Sequence, residues 1–186
     1  SDGNYNCILP VSGGKDSCYV TYKIKEEYGL NPLAITSRPP LESEVGKKNL
    51  HNYVQAGYCD HMHVTANNKA MKKLNKLGFE EKGSPYWGWL VSIFSVIIRV
   101  AIEKKINLII YGEDGELEYG GTTHNLDSFV FSREYITDVF CEGDYKRLIE
   151  KSRLTKEEKY WFEIPDLEKL NFKLGMTHMS YFEPWD

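Results

Sequence analysis

A chain of 186 residues, 41% of them apolar, is long enough to bury a core of its own and reads as one domain. Its formal net charge of −4 excludes a broad nucleic-acid face, which requires an excess of Lys and Arg. The four cysteines (Cys7, Cys18, Cys59, Cys141) have neither CxxC nor metal-ligand spacing, so reduced thiols in a cytoplasmic protein are expected in place of a disulfide framework.

Taken in order, the polar start Ser1-Asp2-Gly3-Asn4 carries no signal-peptide pattern. Residues 7–11 are an apolar run that predicts a buried strand. From about Ser17 to Tyr28 the positions Val20, Ile24 and Tyr28 share a helical face, and Gly29 is a natural C-terminal cap. Residues 32–37 predict a second strand, and Arg38-Pro39-Pro40 ends it. Residues 44–56 predict a helix with Val45, Leu50, Tyr53 and Val54 near one face, stopped by Gly57. Residues 61–64 are a weak strand, and residues 68–77 a lysine-rich helix with a solvated charged face. The apolar stretch from Trp87 is too short for a usual membrane span and carries Ser92, Ser95 and Arg99, so it predicts a buried helix to about Lys105. Strand residues 108–111 follow. Beyond Gly121 the chain is irregular and aromatic, and residues 125–186 are expected to extend the core domain of residues 1–124.

Strands alternating with helices of this length imply an α/β fold, a parallel sheet flanked by helices on both sides. A ligand then sits at the carboxyl ends of the strands. That edge gathers Ser12–Ser17, Thr36–Arg38 with Ser37 between them, and the acidic run Gly112–Tyr119. Within the first of these, Ser12-Gly13-Gly14-Lys15-Asp16-Ser17 joins a strand to a helix. Adjacent glycines let successive N–H groups turn onto one anion, and the helix start adds its unpaired amides and dipole. Ser12 and Ser17 bring hydroxyls, Lys15 a positive charge, and Asp16 a carboxylate suited to Mg²⁺. Glu113, nearest the strand end, is the candidate second carboxylate, for metal or for positioning a reactant; Glu116 and Glu118 lie further out.

The spacing differs from the common P-loop, which places four residues between its first glycine and Gly-Lys-[Ser/Thr]. The string resembles instead the pyrophosphate loop of the ATP pyrophosphatases, enzymes that cut ATP between the α and β phosphates. Five stretches narrow the resemblance: residues 8–17, Gly46-Lys47-Lys48-Asn49-Leu50, Leu108-Ile109-Ile110-Tyr111-Gly112-Glu113, Glu118-Tyr119-Gly120-Gly121, and Tyr181-Phe182-Glu183-Pro184-Trp185-Asp186. Together they are similar to the N-acetyl sugar amidotransferases of bacterial surface-polysaccharide and flagellin-glycan biosynthesis.

That resemblance implies an adenine nucleotide α-hydrolase-like three-layer fold and an ATP- and Mg²⁺-dependent ligase-type reaction. The acetamido oxygen of an N-acetylated nucleotide sugar is adenylated, and ammonia displaces AMP to leave an acetamidino group. Ser12, Gly13, Gly14 and Ser17 then hold the β and γ phosphates, Lys15 offsets developing charge, Asp16 binds Mg²⁺, and main-chain atoms near Val11 and Thr36 read adenine. The implied partners are a glutaminase and its ammonia-channel subunit; homo-oligomerisation is left open. Family members commonly carry a cysteine-rich segment before the first strand and continue past Pro-Trp-Asp, so a partial chain is expected. Two other classes share the loop's neighbourhood: another pyrophosphatase-type enzyme such as a tRNA thiolase, and a nucleotide-binding module without chemistry. Arg99 has two readings, a partnered helix arginine or a phosphate contact. His61 and His63 share a strand face without a third ligand, so no metal site is assigned to them.

Overall fold

The structure is a computed structural model and describes residues 5–112, 136–141, 143–167 and 169–183. Five strands, β1 (Cys7–Pro10), β2 (Pro32–Ser37), β3 (Asp60–Val64), β4 (Leu108–Tyr111) and β5 (Gly175–His178), form one parallel sheet in the order β3-β2-β1-β4-β5. Side chains alternate across it with the period of a strand. Ile8, Leu33, Ile35, Ile109 and Met176 enter one core, whereas Cys7, Leu9, Ala34 and Ile110 enter the other. Both faces are therefore covered, which is why these strands read as continuous apolar runs.

The first core is roofed by α3 (Asn68–Lys82) and α4 (Trp87–Lys104), whose buried residues include Leu74, Trp87, Val91 and Ile98. The second packs Val20 and Ile24 of α1 (Lys15–Tyr22) and its π-helical continuation Lys23–Glu27. Between β2 and β3 runs α2 (Glu44–Ala56), capped by Ser43 through the Gly46 amide and closed by Gly57 in the left-handed region. A further helix, α5 (Tyr145–Lys151), lies against α3 through Glu81, which pairs with Arg147 and Lys151.

The chain steps outward from β1 to β2 and β3, then returns to the other side of β1 with β4. Strand order thus reverses between β1 and β4, and the carboxyl ends of these two strands border a ready crevice. Several observed elements depart from the sequence expectations, α5 among them, since it forms in a stretch read as irregular. α1 begins at Lys15, two residues early. α3 runs on to Lys82 through Gly78. Among the aromatic C-terminal residues, β5 adds a fifth strand. Finally α2, although its apolar residues share a face, buries none of them.

Candidate active site

The loop after β1 is shaped by its two glycines in different ways. Gly13 has φ +80°, and a Cβ on it would lie 2.7 Å from the Leu50 amide nitrogen and 2.8 Å from Leu50 Cα of α2. Gly14 is extended (φ −75°, ψ 170°) and is the N-cap of α1, whose first helical bond is Cys18 N–H to the Gly14 carbonyl. The amides of Lys15, Asp16 and Ser17 precede that bond, so the helix gives them no partner and its dipole makes them attractive to an anion. Ser12 Oγ accepts from the Gly14 amide at 3.3 Å, and Ser17 Oγ donates to the Gly14 carbonyl at 3.1 Å. Lys15 Nζ lies 3.1 Å from Asp16 Oδ1, with 84% of the Lys15 side chain exposed at the rim.

This loop forms one wall of a cavity of about 670 Å³ at the carboxyl edge of the sheet. The second wall is the end of β2. Thr36 Oγ1 donates its one hydrogen to the Val11 carbonyl at 2.8 Å, so the 2.8 Å contact with His61 requires His61 Nε2–H to be the donor there. Burial, and secondarily His63, lowers the His61 pKa, which favours that neutral form. Ser37 is held by α4: its Oγ meets Ser92 Oγ at 3.1 Å, and Trp89 Nε1–H donates to its carbonyl at 3.3 Å. The third wall is apolar, made by Leu90, Ile93 and Phe94 of α4. At the β4–β5 end Tyr111 stacks on His178 with ring centroids 5.6 Å apart, and burial raises the Tyr111 pKa, keeping the phenol neutral. Gly112 follows, so close to α1 that a Cβ would lie 3.2 Å from the Asp16 carbonyl oxygen.

The residues singled out in the sequence are therefore neighbours in space. Val11, Ser12, Gly14, Asp16 and Ser17 line the cavity from the β1 side, Thr36 and Ser37 from β2, and Gly112 from β4. Lys15 stands at the rim, and Gly13 is buried beneath α2. The Val11 amide and carbonyl both have partners, the Ile35 carbonyl and the Thr36 hydroxyl. Glu113, together with Glu116 and Glu118, lies outside the described residues. Arg99 is turned away from the loop; its Nη2 donates to the Glu163 carbonyl at 2.7 Å and its guanidinium sits 4.0 Å from the Tyr160 ring centroid. Sequence reading missed the apolar wall and His178. The first was visible only as helix periodicity, which says which residues are buried but not against what. The second sits on a strand with no local strand signal.

No family model matches the sequence, and no curated protein does. Among solved structures the chain is similar to the U34-tRNA thiolase NcsA from Methanococcus maripaludis, at 20% identity and a TM-score of 0.50, over 94% of this chain and 52% of that one. It is also similar to the NH3-dependent NAD synthetase from Campylobacter jejuni, at 15% identity and TM-score 0.49 over 65% of this chain and 53% of that one. A third likeness is to the NMN synthetase from Francisella tularensis, at 11% identity and TM-score 0.49 over 92% and 74%. The chain spans 52% of the thiolase's length and 53% of the NAD synthetase's. Among the described residues no helix is long and apolar enough to cross a membrane. The likeness to the thiolase is one of fold, and with the five-stranded parallel sheet it makes this an adenine nucleotide α-hydrolase-like domain.

Proposed function

We propose that the chain binds MgATP on the loop of residues 12–17 and splits it between the α and β phosphates, passing adenylate to an oxygen of a second substrate. The observation that carries this reading is the loop itself. Gly13 turns the backbone under α2, the three amides at the start of α1 have no partner within the helix, and Lys15 and Asp16 stand beside them. The donor set fits the ligand. A polyphosphate takes the Lys15 ammonium and the amides, which frees the Asp16 carboxylate for a hard cation that keeps most of its other ligands as phosphate oxygens and water. Bound Mg²⁺ would neutralise charge on the phosphates as it develops.

In the step proposed, the second substrate's carbonyl oxygen forms a bond to the α-phosphorus while the bond from that phosphorus to the bridging oxygen breaks. Pyrophosphate leaves carrying the electron pair, and the loop retains it. Ser12, the amides of residues 15–17 and Lys15 stabilise charge on the leaving group, which is the main contribution a protein makes to such transfers. The adenine ring fits the apolar wall of Leu90, Ile93 and Phe94 beside the end of β2. An amide is a fitting acceptor because adenylation turns its poorly leaving oxygen into a good leaving group. The five matching stretches support the acetamido group of an N-acetylated nucleotide sugar as that amide, with ammonia from a glutaminase and channel partner as the nucleophile. The thiolase-like alternative places a tRNA carbonyl in the same role.

ATP–pyrophosphate exchange tests the reading. Exchange is expected to depend on Mg²⁺ and on an N-acetylated nucleotide sugar, and Asp16→Asn is expected to lower it by about a hundredfold with an unchanged melting profile. Exchange that responds to tRNA and not to the sugar assigns the thiolase-like alternative. Equal exchange by Asp16→Asn and the parent removes Asp16 from the metal site.

A further inference from the structure

α2 is attached to the rest of the molecule in an unusual way. Of its 13 residues only Leu50 and Tyr53 are even half-buried, and Val45 on the same face remains 69% exposed. Yet this helix supplies the backbone that lies against Gly13, and its first turns line the cavity. Apolar burial contributes little here, so the polar contacts of Tyr53 decide how firmly α2 is held.

Those contacts have a fixed direction. Thr21 Oγ1 donates to the Ser17 carbonyl at 2.7 Å and so spends its one hydrogen. The 2.8 Å contact between Thr21 and Tyr53 is then Tyr53 O–H donating, and the 3.4 Å contact between Tyr53 and Cys59 is the thiol donating. A one-way chain thus runs from Cys59 through Tyr53 and Thr21 to the Ser17 carbonyl, while the Ser17 hydroxyl separately donates to the Gly14 carbonyl. Each member polarises the next, and the chain ends on the first turn of the loop helix.

We propose that Tyr53 is a positioning residue for the phosphate loop: its hydroxyl ties α2 to α1 so that the helix backbone stays against Gly13 and the loop keeps its shape before any ligand arrives. This rests on the reading of residues 12–17 as a phosphate site only for its consequence, not for the pin itself. Without the pin α2 is held by Leu50 and by the ring of Tyr53 on the second core, and part of the binding energy for pyrophosphate goes into re-ordering the loop.

The test is hydrogen exchange of the whole chain, read separately on α1 from Cys18 onward, on α2, and on β1–β2. Tyr53→Phe and Thr21→Val are each expected to speed exchange in α1 and α2 about tenfold, the double variant no more than the larger single effect. Cys59→Ser, which keeps a donor, is expected to match the parent. Unchanged exchange in α1 and α2 for Tyr53→Phe, additive single effects, or equal acceleration in β1–β2 each overturns the proposal. Titration with Mg²⁺-pyrophosphate runs alongside, and Tyr53→Phe is expected to weaken binding about fivefold to tenfold. A parent protein that does not bind pyrophosphate refutes the phosphate-site reading, while the exchange data still decide the pin.

Discussion

At the scale of single residues, the two adjacent glycines are not equivalent. Gly13 lies in the left-handed region, and a Cβ on it would lie 2.7 Å from the Leu50 nitrogen, so its absence is what lets α2 lie where it does. Gly14 has an ordinary extended backbone, and a Cβ there would meet only Ser12 Oγ at 3.2 Å, a hydroxyl that can rotate away. Gly13→Ala therefore combines a left-handed alanine, roughly 1–2 kcal/mol, with a clash against main-chain atoms that cannot yield without moving the helix, roughly 1–3 kcal/mol. A total loss of about 2–5 kcal/mol is expected in urea denaturation, against under about 1 kcal/mol for Gly14→Ala. If Gly14→Ala proves the costlier of the two, the packing assigned to this loop is wrong. The place of Ser-Gly-Gly-Lys-Asp-Ser between a strand and a helix was legible in the sequence, because an apolar run precedes it and a helical period follows. Which glycine is indispensable was not, since that depends on a helix more than thirty residues away.

At the scale of elements, the long periodic segments were the readable ones. β2, β4 and the bounds of α2 agree with the sequence reading, because capping residues and apolar periodicity are local signals. The larger misses are non-local. β5 is four residues, Gly-Met-Thr-His, and becomes a strand because β4 offers it an edge in register from Leu108↔Gly175 to Tyr111↔His178. α3 passes its expected end at Leu77 because Gly78 is a packing position: a Cβ there would lie 2.3 Å from Trp87 Cβ and 2.8 Å from the Ser84 carbonyl oxygen. The reverse side of the same crossing is Gly88, 2.7 Å from Leu74 Cβ by the same measure. Gly78→Ala gains at most about 1 kcal/mol of helix propensity but sets a methyl against a β-carbon and a carbonyl, neither of which can turn aside. The clash wins, and a net loss of at least about 1 kcal/mol is expected in thermal or urea unfolding. A stabilised Gly78→Ala protein contradicts the close crossing of α3 and α4.

At the scale of the molecule, α4 divides the labour. One face, with Trp89, Leu90, Ile93, Phe94 and Ile97, walls the cavity, and Trp89 with Ser92 fixes Ser37. Another face, with Ser95 and Arg99, holds the C-terminal segment that delivers β5 to the sheet. Ser95 Oγ and Arg99 Nη2 both donate to the Glu163 carbonyl, Tyr145 Oη receives the Ile164 amide and donates to the Phe162 carbonyl, and Tyr160 covers the Arg99 guanidinium. The pairing of Glu183 with Lys23 and Tyr28 then fastens the far end of that segment to the turn that follows α1, and those partners keep the Glu183 carboxyl below its ordinary pKa. On this geometry Arg99 serves assembly and has no part in phosphate binding, which separates the two roles its sequence position allowed. Arg99→Met keeps much of the apolar stem and removes the charged donor, and hydrogen bonds to charged groups are worth roughly 1.5–3 kcal/mol. Stability is expected to fall by about that amount, while Mg²⁺-pyrophosphate affinity at a temperature where the variant is folded stays within about twofold of the parent. A variant with parental stability and a tenfold weaker affinity places Arg99 at the phosphates and breaks the division of α4 into a cavity-lining face and an anchoring face.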